Sequence, residues 1–278
     1  MQHIRIAGVP EHYNLPLYQL QEEQALKDHG LTIEWSPYST GTGAMLADLR
    51  ANELDMAILL TEGSMVDQLK DDHNQIVSRY VNSPLVWGVH THTSHPFSLD
   101  SGINGYTRFG ISRPLSGSHL MAYLYARQFG VQLTKDNFVV VGNMPGAEKA
   151  MANGEVDLFM WEKFTTKPLV DKGVFQRVDE FPTPWNSFVI VSRREFAESH
   201  PNAVMNLVRW LSHRTKQLRQ NSADTIREIS SRFELKETDV AEWFAHLEWD
   251  VRLVNSASEF DYVAHEMMAL LERQKAAV

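Results

Sequence analysis

The sequence predicts a two-lobed α/β fold, with parallel-rich sheets flanked by helices and a ligand cleft between the lobes. Three observations carry this expectation: a duplicated string, a regular alternation of strands with helices, and two Pro-containing crossings. Residues 43 to 62 read GAMLADLRANELDMAILLTE, and residues 146 to 162 read GAEKAMANGEVDLFMWE. Each opens on Gly-Ala and runs through a helical stretch to an Ala-Asn turn. Each then passes an aspartate (Asp55, Asp157) into an apolar strand and ends on a glutamate (Glu62, Glu162). Order matched over that length reads as duplication of a strand-helix-strand unit.

The elements follow in the same rhythm. IRIAGV is a strand, a helix is expected near Leu15 to His29, LTIEWSPY is a second strand, and Thr42 and Gly43 open the next helix. In the second half TRFGIS leads to a helix opened around Ser116 and Ser118, and NFVVVG leads to the helix after Gly146. Such alternation builds parallel sheets covered by helices, whose ligands sit at the carboxyl ends of strands. After FVIVSR at 188 to 193 only helices are expected, because the apolar residues recur at three and four spacing. NSPLVWG (82 to 88) and FPTPWNS (181 to 187) bracket the second repeat as two crossings between lobes.

Composition narrows the function. The chain has 278 residues, 43% of them hydrophobic, enough for a large core or two lobes. Its longest apolar run, Leu120 to Ala126, is far short of the roughly 18 to 20 residues that span a bilayer. The net charge is -9, and residues 1 to 99 carry 5 basic against 12 acidic side chains. With no basic cluster, nucleic acid is not an expected partner. There is no cysteine, so disulfides, thiolate metal sites and Cys nucleophiles are excluded. The opening MQHIRIAGVP has no basic and apolar leader pattern, so a cytoplasmic location is expected of the chain as it stands. A signal peptide removed ahead of Met1 would make it periplasmic.

Two turns rich in small residues are candidate anion cradles: Thr40, Gly41, Thr42 and Gly43, and Ser116, Gly117, Ser118 and His119. First-turn N–H groups lack partners within their helix, and glycine lets a ligand approach them. Thr42, Ser116 and Ser118 serve equally well as plain N-caps. Arg113, at a strand end beside the second turn, suits a carboxylate or sulfonate held through two parallel hydrogen bonds, or else a surface ion pair. Glu62 and Glu162 end the duplicated strands and Glu11 follows the first strand, a placement that favours an amine. With Arg113 they suggest a zwitterionic ligand. The structural alternatives are a helix cap for Glu62 and pairing with Lys163 or Lys167 for Glu162. Thr61, Thr165 and Ser83 flank these positions and are expected contacts. Of Tyr13, Trp87, Trp161 and Trp185, two are expected to touch the ligand. HTHTSH brings His90, His92 and His95 close, yet shows no fourth ligand, so a solvated loop is expected rather than a metal site. No cofactor is expected, and no G-x-S-x-G, Walker loop or H-E-x-x-H is present.

GVPEHYNLP, TGTGAM, LLTEG, YVNSPLVWG, ISRPLSGSHLMAY, FMWEKFTTKP and TPWNSF together resemble the type 2 periplasmic-binding-protein fold. The similar branch includes nitrate, sulfonate and taurine binders and the yeast thiamine-pyrimidine synthase. More closely, the chain is similar to a group of yeast and bacterial proteins of that fold that lack export signals and whose function is not established. The resemblance implies lobe 1 from residues 1–87 and 188–278, lobe 2 from 88–187, and closure over a small anionic or zwitterionic ligand. An exported protein of this kind would serve an ABC permease, and a cytosolic one would be a sensor or carrier. The synthase's cysteine-rich motif has no counterpart in a chain without cysteine. The alternative is a cytosolic lyase or synthase on the same fold, with Glu62, Glu162 or His119 moving protons, since enzymes such as a chorismate dehydratase also use it.

Overall fold

The computed structural model describes residues 1–254 and 257–276. The chain divides into two compact units, Met1–Ser83 with Trp185–Met268, and Pro84–Pro184 with Ala269–Val278.

In the first unit, β1 (Gln2–Gly8) leads through α1 (Leu15–Glu22) to β2 (Leu31–Pro37). Then α2 (Thr42–Arg50) leads to β3 (Met56–Leu60), and α3 (Thr61–Gln68) follows at once. β1 is central and parallel to both β2 and β3. β4 (Asn74–His92) then leaves this unit for the second. There β5 (Phe109–Ile111), α4 (Gly117–Gln128), β6 (Phe138–Val140), α5 (Met144–Ala152) and β7 (Leu158–Glu162) repeat the order, with β5 parallel to β6 and β7. The short α6 (Lys167–Asp171) precedes β8 (Phe175–Arg193), which returns to the first unit. Each third strand pairs antiparallel with a long crossing strand, β3 with β8 and β7 with β4.

The duplication goes further than the two strings. Asp55 accepts from the Arg5 backbone N–H at 2.9 Å, from Arg5 Nε at 3.1 Å and from Arg5 Nη2 at 2.8 Å. Asp157 accepts from the same three groups of Arg108 at 2.7, 3.1 and 2.6 Å. In both repeats the aspartate N–H returns a bond to the arginine carbonyl at 2.9 Å. The aspartate ahead of each third strand therefore fastens it to the central strand of its repeat with a two-pronged, charge-assisted contact.

α7 (Arg194–Ser199), α8 (Pro201–Gln220), α9 (Ser222–Phe233) and α10 (Glu237–His246) follow β8. α8 starts on Pro201, whose missing N–H has no helical partner to lose, and buries Val204, Leu207, Val208, Leu211 and Leu218 along one face. The expectation of helices alone here is incomplete. Trp249–Leu253 forms β9, antiparallel to β4, before α11 (Asp261–Ala276). Its Trp249 belongs to an aromatic cluster with Trp243 and Phe244, a tertiary reward that helical periodicity does not show. α1 is also shorter than expected. The polar run Gln21 to Gln24 offers no apolar face, Gln24 turns left-handed at φ 48, and Leu26 is buried from a turn instead. Among the described residues no helix is long and apolar enough to cross a membrane.

The second unit's core gathers Ala147, Ala150, Met151, Val156, Phe159 and Phe175. At the start of α5, Asn143 caps the helix by accepting from Gly146 N–H at 3.0 Å. A Cβ on Gly146 would lie 2.0 Å from the Val141 carbonyl oxygen. Gly146→Ala is therefore expected to destabilise the fold by about 1–3 kcal/mol. Gly105→Ala, where a Cβ meets nothing within 4 Å, should change stability by less than about 0.5 kcal/mol. Thermal denaturation of the two variants checks the contrast.

Candidate functional site

In the second unit the turn from β5 to α4 folds back on itself. Ser116 is the N-cap of α4, accepting from His119 N–H at 3.3 Å. Ser118 Oγ accepts the Ser112 N–H at 2.9 Å and lies 3.0 Å from Ser116 Oγ. His119 Nδ1 accepts the Leu115 N–H at 2.9 Å, which places the ring proton on Nε2, and burial lowers its pKa to about 4. Leu115 adopts φ 63, a conformation unusual for a branched side chain. Among the described residues, no side chain caps the N–H groups of Gly117 and Ser118.

Arg113 stands at the head of this turn, half-buried, and its only described bond is Nη1 to the Pro114 carbonyl at 3.3 Å. No carboxylate pairs with it among the described residues, and burial pulls the guanidinium below its ordinary pKa. Other arginines behave differently: Arg5, Arg50, Arg79, Arg108, Arg193, Arg214 and Arg232 each hold an acidic partner. A desolvated cation without a counter-ion is a site for an anion.

Glu162, at the end of β7, is buried, and its Oε2 accepts the N–H groups of Phe164 and Thr165 and the Thr165 hydroxyl at 3.0, 2.6 and 2.8 Å. Glu162 and Thr165 thus close the turn that follows the strand. Lys163 reaches Glu180 at 3.1 Å, and Lys167 pairs with Asp171. Trp87 opposes Glu162 across the β4–β7 ladder and is buried, with its indole nitrogen lacking a partner. His90 lies in the core between the Phe159 carbonyl and the Thr166 hydroxyl, whereas His92 and His95 meet at Ser94. No group of three metal-ligating side chains forms among the described residues.

In the first unit, β3 ends at Leu60 and Thr61 opens α3, so Glu62 sits in a helical first turn rather than at a strand end. It is 2% exposed. Glu62 Oε2 accepts the Trp185 indole N–H at 2.9 Å, while Oε1 is buried without a partner. Burial pushes the carboxyl up to about 7, against the opposing pull of its own backbone N–H and of Trp185. Asn186 Nδ2 donates to Thr61 Oγ1 at 3.1 Å. The cap of α2 is Gly41, at φ 75, one residue ahead of the expected Thr42. Only glycine adopts that backbone freely. Thr42 instead packs on Gly63 of α3, where a Cβ would come 2.7 Å from Thr42 Cγ2. Gly43 follows in the first turn of α2.

Ser83 takes part in the crossing: its hydroxyl accepts the Glu248 N–H at 3.1 Å and its carbonyl accepts the Ser187 hydroxyl. Tyr13 packs its ring against His12, Phe188 and Trp243 at 4.8, 5.1 and 5.1 Å. Glu11 is half-buried just before that cluster.

Residues 87–181 match a family model described as Ca3427-like PBP. Over 99% of its length the chain superposes on 91% of the Candida albicans CA3427 gene product, which exhibits the generic periplasmic binding protein fold, at a TM-score of 0.86 and 27% identity. This chain has the type 2 periplasmic-binding-protein fold. The alkanesulfonate-binding protein SsuA from Xanthomonas axonopodis pv. citri, bound to MOPS, is similar over 100% of this chain and 95% of its own, at a TM-score of 0.81 and 14% identity. PhnD1 from Prochlorococcus marinus, in complex with methylphosphonate, is similar over 96% of this chain and 98% of its own, at 0.57 and 10%. No curated protein matches the chain in sequence.

Within this binding-protein fold, the structure groups the expected residues into separate local clusters. Arg113, Ser116, Ser118 and His119 come together at the start of α4, and Thr42, Thr61 and Glu62 at the starts of α2 and α3. Sequence reasoning missed Ser112 and Asn186. The only available signals were the position of Ser112 after a strand and the place of Asn186 in TPWNSF.

Proposed function

We propose that the protein binds a small polar metabolite through an anionic group, with Arg113 and the first turn of α4 holding the anion. The observation that carries this reading is a half-buried arginine with no carboxylate partner among the described residues, set beside the uncapped N–H groups of Gly117 and Ser118. The similar structures lend support, because MOPS and methylphosphonate share a compact oxyanion. Thr42 and Thr61 are further contacts in this reading, which includes closure on the ligand. In the cytosol such a protein is a sensor or carrier; exported, it would deliver its ligand to an ABC permease.

Native mass spectrometry of the purified protein should show a stoichiometric, anion-bearing compound that denaturation releases. By calorimetry, Arg113→Ala should weaken its binding about 100-fold, the loss of a charge-assisted, two-pronged contact. Small-angle scattering should show a smaller radius at saturation. An unchanged affinity in the variant would remove Arg113 from the site, and an unchanged radius would remove closure. One observation favours a second reading, an enzyme of the lyase or synthase class: the buried Glu62 carboxyl, pushed to about 7, suits proton transfer at neutral pH. A released compound converted on incubation with the protein would decide for it.

A further inference from the structure

The first unit holds a polar group that anion binding leaves unused. Glu62 is closed off from water, its Oε2 is satisfied by Trp185, and its Oε1 is satisfied by nothing. Buried polar atoms in native proteins almost always have a partner, so an orphaned carboxyl oxygen calls for one that arrives from outside the chain. The surroundings restrict what that partner can be. Thr42 of α2, Thr61 of α3, and Trp185 and Asn186 of β8 are all uncharged, and β3 carries no titratable residue. The charged groups on the packed elements are engaged elsewhere: Asp48 with Tyr38, Arg50 with Asp67 and Asp71, and Arg193 with Asp55. Tyr262 of α11 meets the Trp185 ring, with centroids 6.4 Å apart.

We propose that Thr61, Glu62, Trp185 and Asn186 form a subsite within the first unit for an uncharged, hydrogen-bonding group of a ligand. There Glu62, as a neutral acid, donates Oε1–H to an uncharged acceptor atom and selects against an ammonium. In place of the ammonium expected from the sequence, the group that meets Glu62 is an uncharged acceptor. A carboxylate in this pocket would have an indole N–H and a helix start to stabilise it and, among the described residues, no cation, whereas the acid form needs only one acceptor. The displacement of its pKa by burial to about 7 agrees with a neutral form that is populated under ordinary conditions. The proposal rests on the anion-binding reading only for the choice of sulfonates as probes.

Isethionate and taurine make a discriminating pair of probes, since they are sulfonates of equal length ending in a hydroxyl and an ammonium. Calorimetry at about pH 6 should show isethionate binding roughly 10-fold or more tighter than taurine. Above about pH 7 isethionate binding should weaken close to 10-fold per pH unit, with proton uptake visible as a dependence on buffer ionisation heat. Glu62→Gln, which keeps a donor at that place, should bind isethionate with no such pH dependence. Tighter binding of taurine, proton release, or loss of isethionate in Glu62→Gln would overturn the proposal. If neither sulfonate binds, the ligand's anion is not one of these sulfonates, and the same proton count is made on the compound released from the purified protein. Proton uptake with an acceptor compound supports the subsite, and release with an amine overturns it. Trp185 fluorescence gives a ligand-independent arm: a Glu62 carboxyl already ionised at about pH 6 would overturn the proposal outright.

Discussion

Asp55→Asn is expected to lower the unfolding free energy by about 3–5 kcal/mol, while the same change at Asp157 lowers it by about 1 kcal/mol. The two aspartates make the same three contacts with the arginine of their own repeat, so the difference comes from their surroundings. The Asp55 side chain is 6% exposed and also receives Arg193 Nη2 at 2.8 Å from a guanidinium 10% exposed. Asp157 is 24% exposed, and its partner Arg108 is 41% exposed. Neutralising Asp55 strands a buried Arg193 charge, whereas water can solvate Arg108 once Asp157 is gone. Burial pushes the Asp55 carboxyl up, but Arg5 and Arg193 pull it further down, so it lies below the usual carboxylate range. Its contribution to stability is therefore present above the unfolded carboxylate pKa and is lost as pH falls through the lower folded value. Urea unfolding of both variants tests the contrast, and equal losses would show that burial does not set the strength of these pairs.

The second large effect is acid destabilisation by three buried histidines. His12 is packed among Tyr13, Phe233 and Trp243 with its Nε2 unsatisfied, and burial lowers its pKa to about 3. Burial likewise takes His90 and His119 to about 4. The unfolded chain takes up these protons near the ordinary histidine value of 6.5, while the folded chain resists until about 3 to 4. Their contribution is full above the unfolded value and is lost as pH falls toward the folded ones, by about 1.4 kcal/mol per pH unit for each histidine. Glu62 acts in the opposite sense. Its raised pKa makes its contribution full below the ordinary value of 4.5 and lost as pH rises through about 7. Stability should therefore peak between about pH 6 and 7 and fall steeply on the acid side. Unfolding measured across pH should show this, and His12→Phe, which keeps a ring in the cluster, should reduce the acid slope by one proton. An unchanged slope would mean that His12 is not held neutral in the fold.

Much of the local architecture was legible because it is written in neighbouring residues. Gly-Ala, Ala-Asn and the pre-strand aspartate repeat within about twenty residues, and Ser116 carries the ordinary chemistry of an N-cap. The site was less legible. Thr42 looked like a cap, yet a glycine at positive φ took that role. Glu62 reads as a strand end with a helix cap as its alternative, and only the structure shows the helix beginning directly at Thr61. Tyr13 reads in the sequence as a loop aromatic, and only packing reveals its ring among Phe188 and Trp243.

The alternation of strands and helices, the duplicated unit and the residue types around which each cluster forms are readable from the order of amino acids. All of these follow from short-range periodicity and backbone preference. Tertiary structure alone decided which charges are paired. Arg5 finds Asp55 fifty positions away and Arg193 arrives from still further along, while Arg113 finds no carboxylate among the described residues. It also decided that Glu162 is consumed in closing its own turn, whereas Glu62, its counterpart in the repeat, keeps one oxygen unpaired in a dry pocket. Desolvation depends on what surrounds a group in three dimensions, and that determines which of two equivalent glutamates remains available to bind.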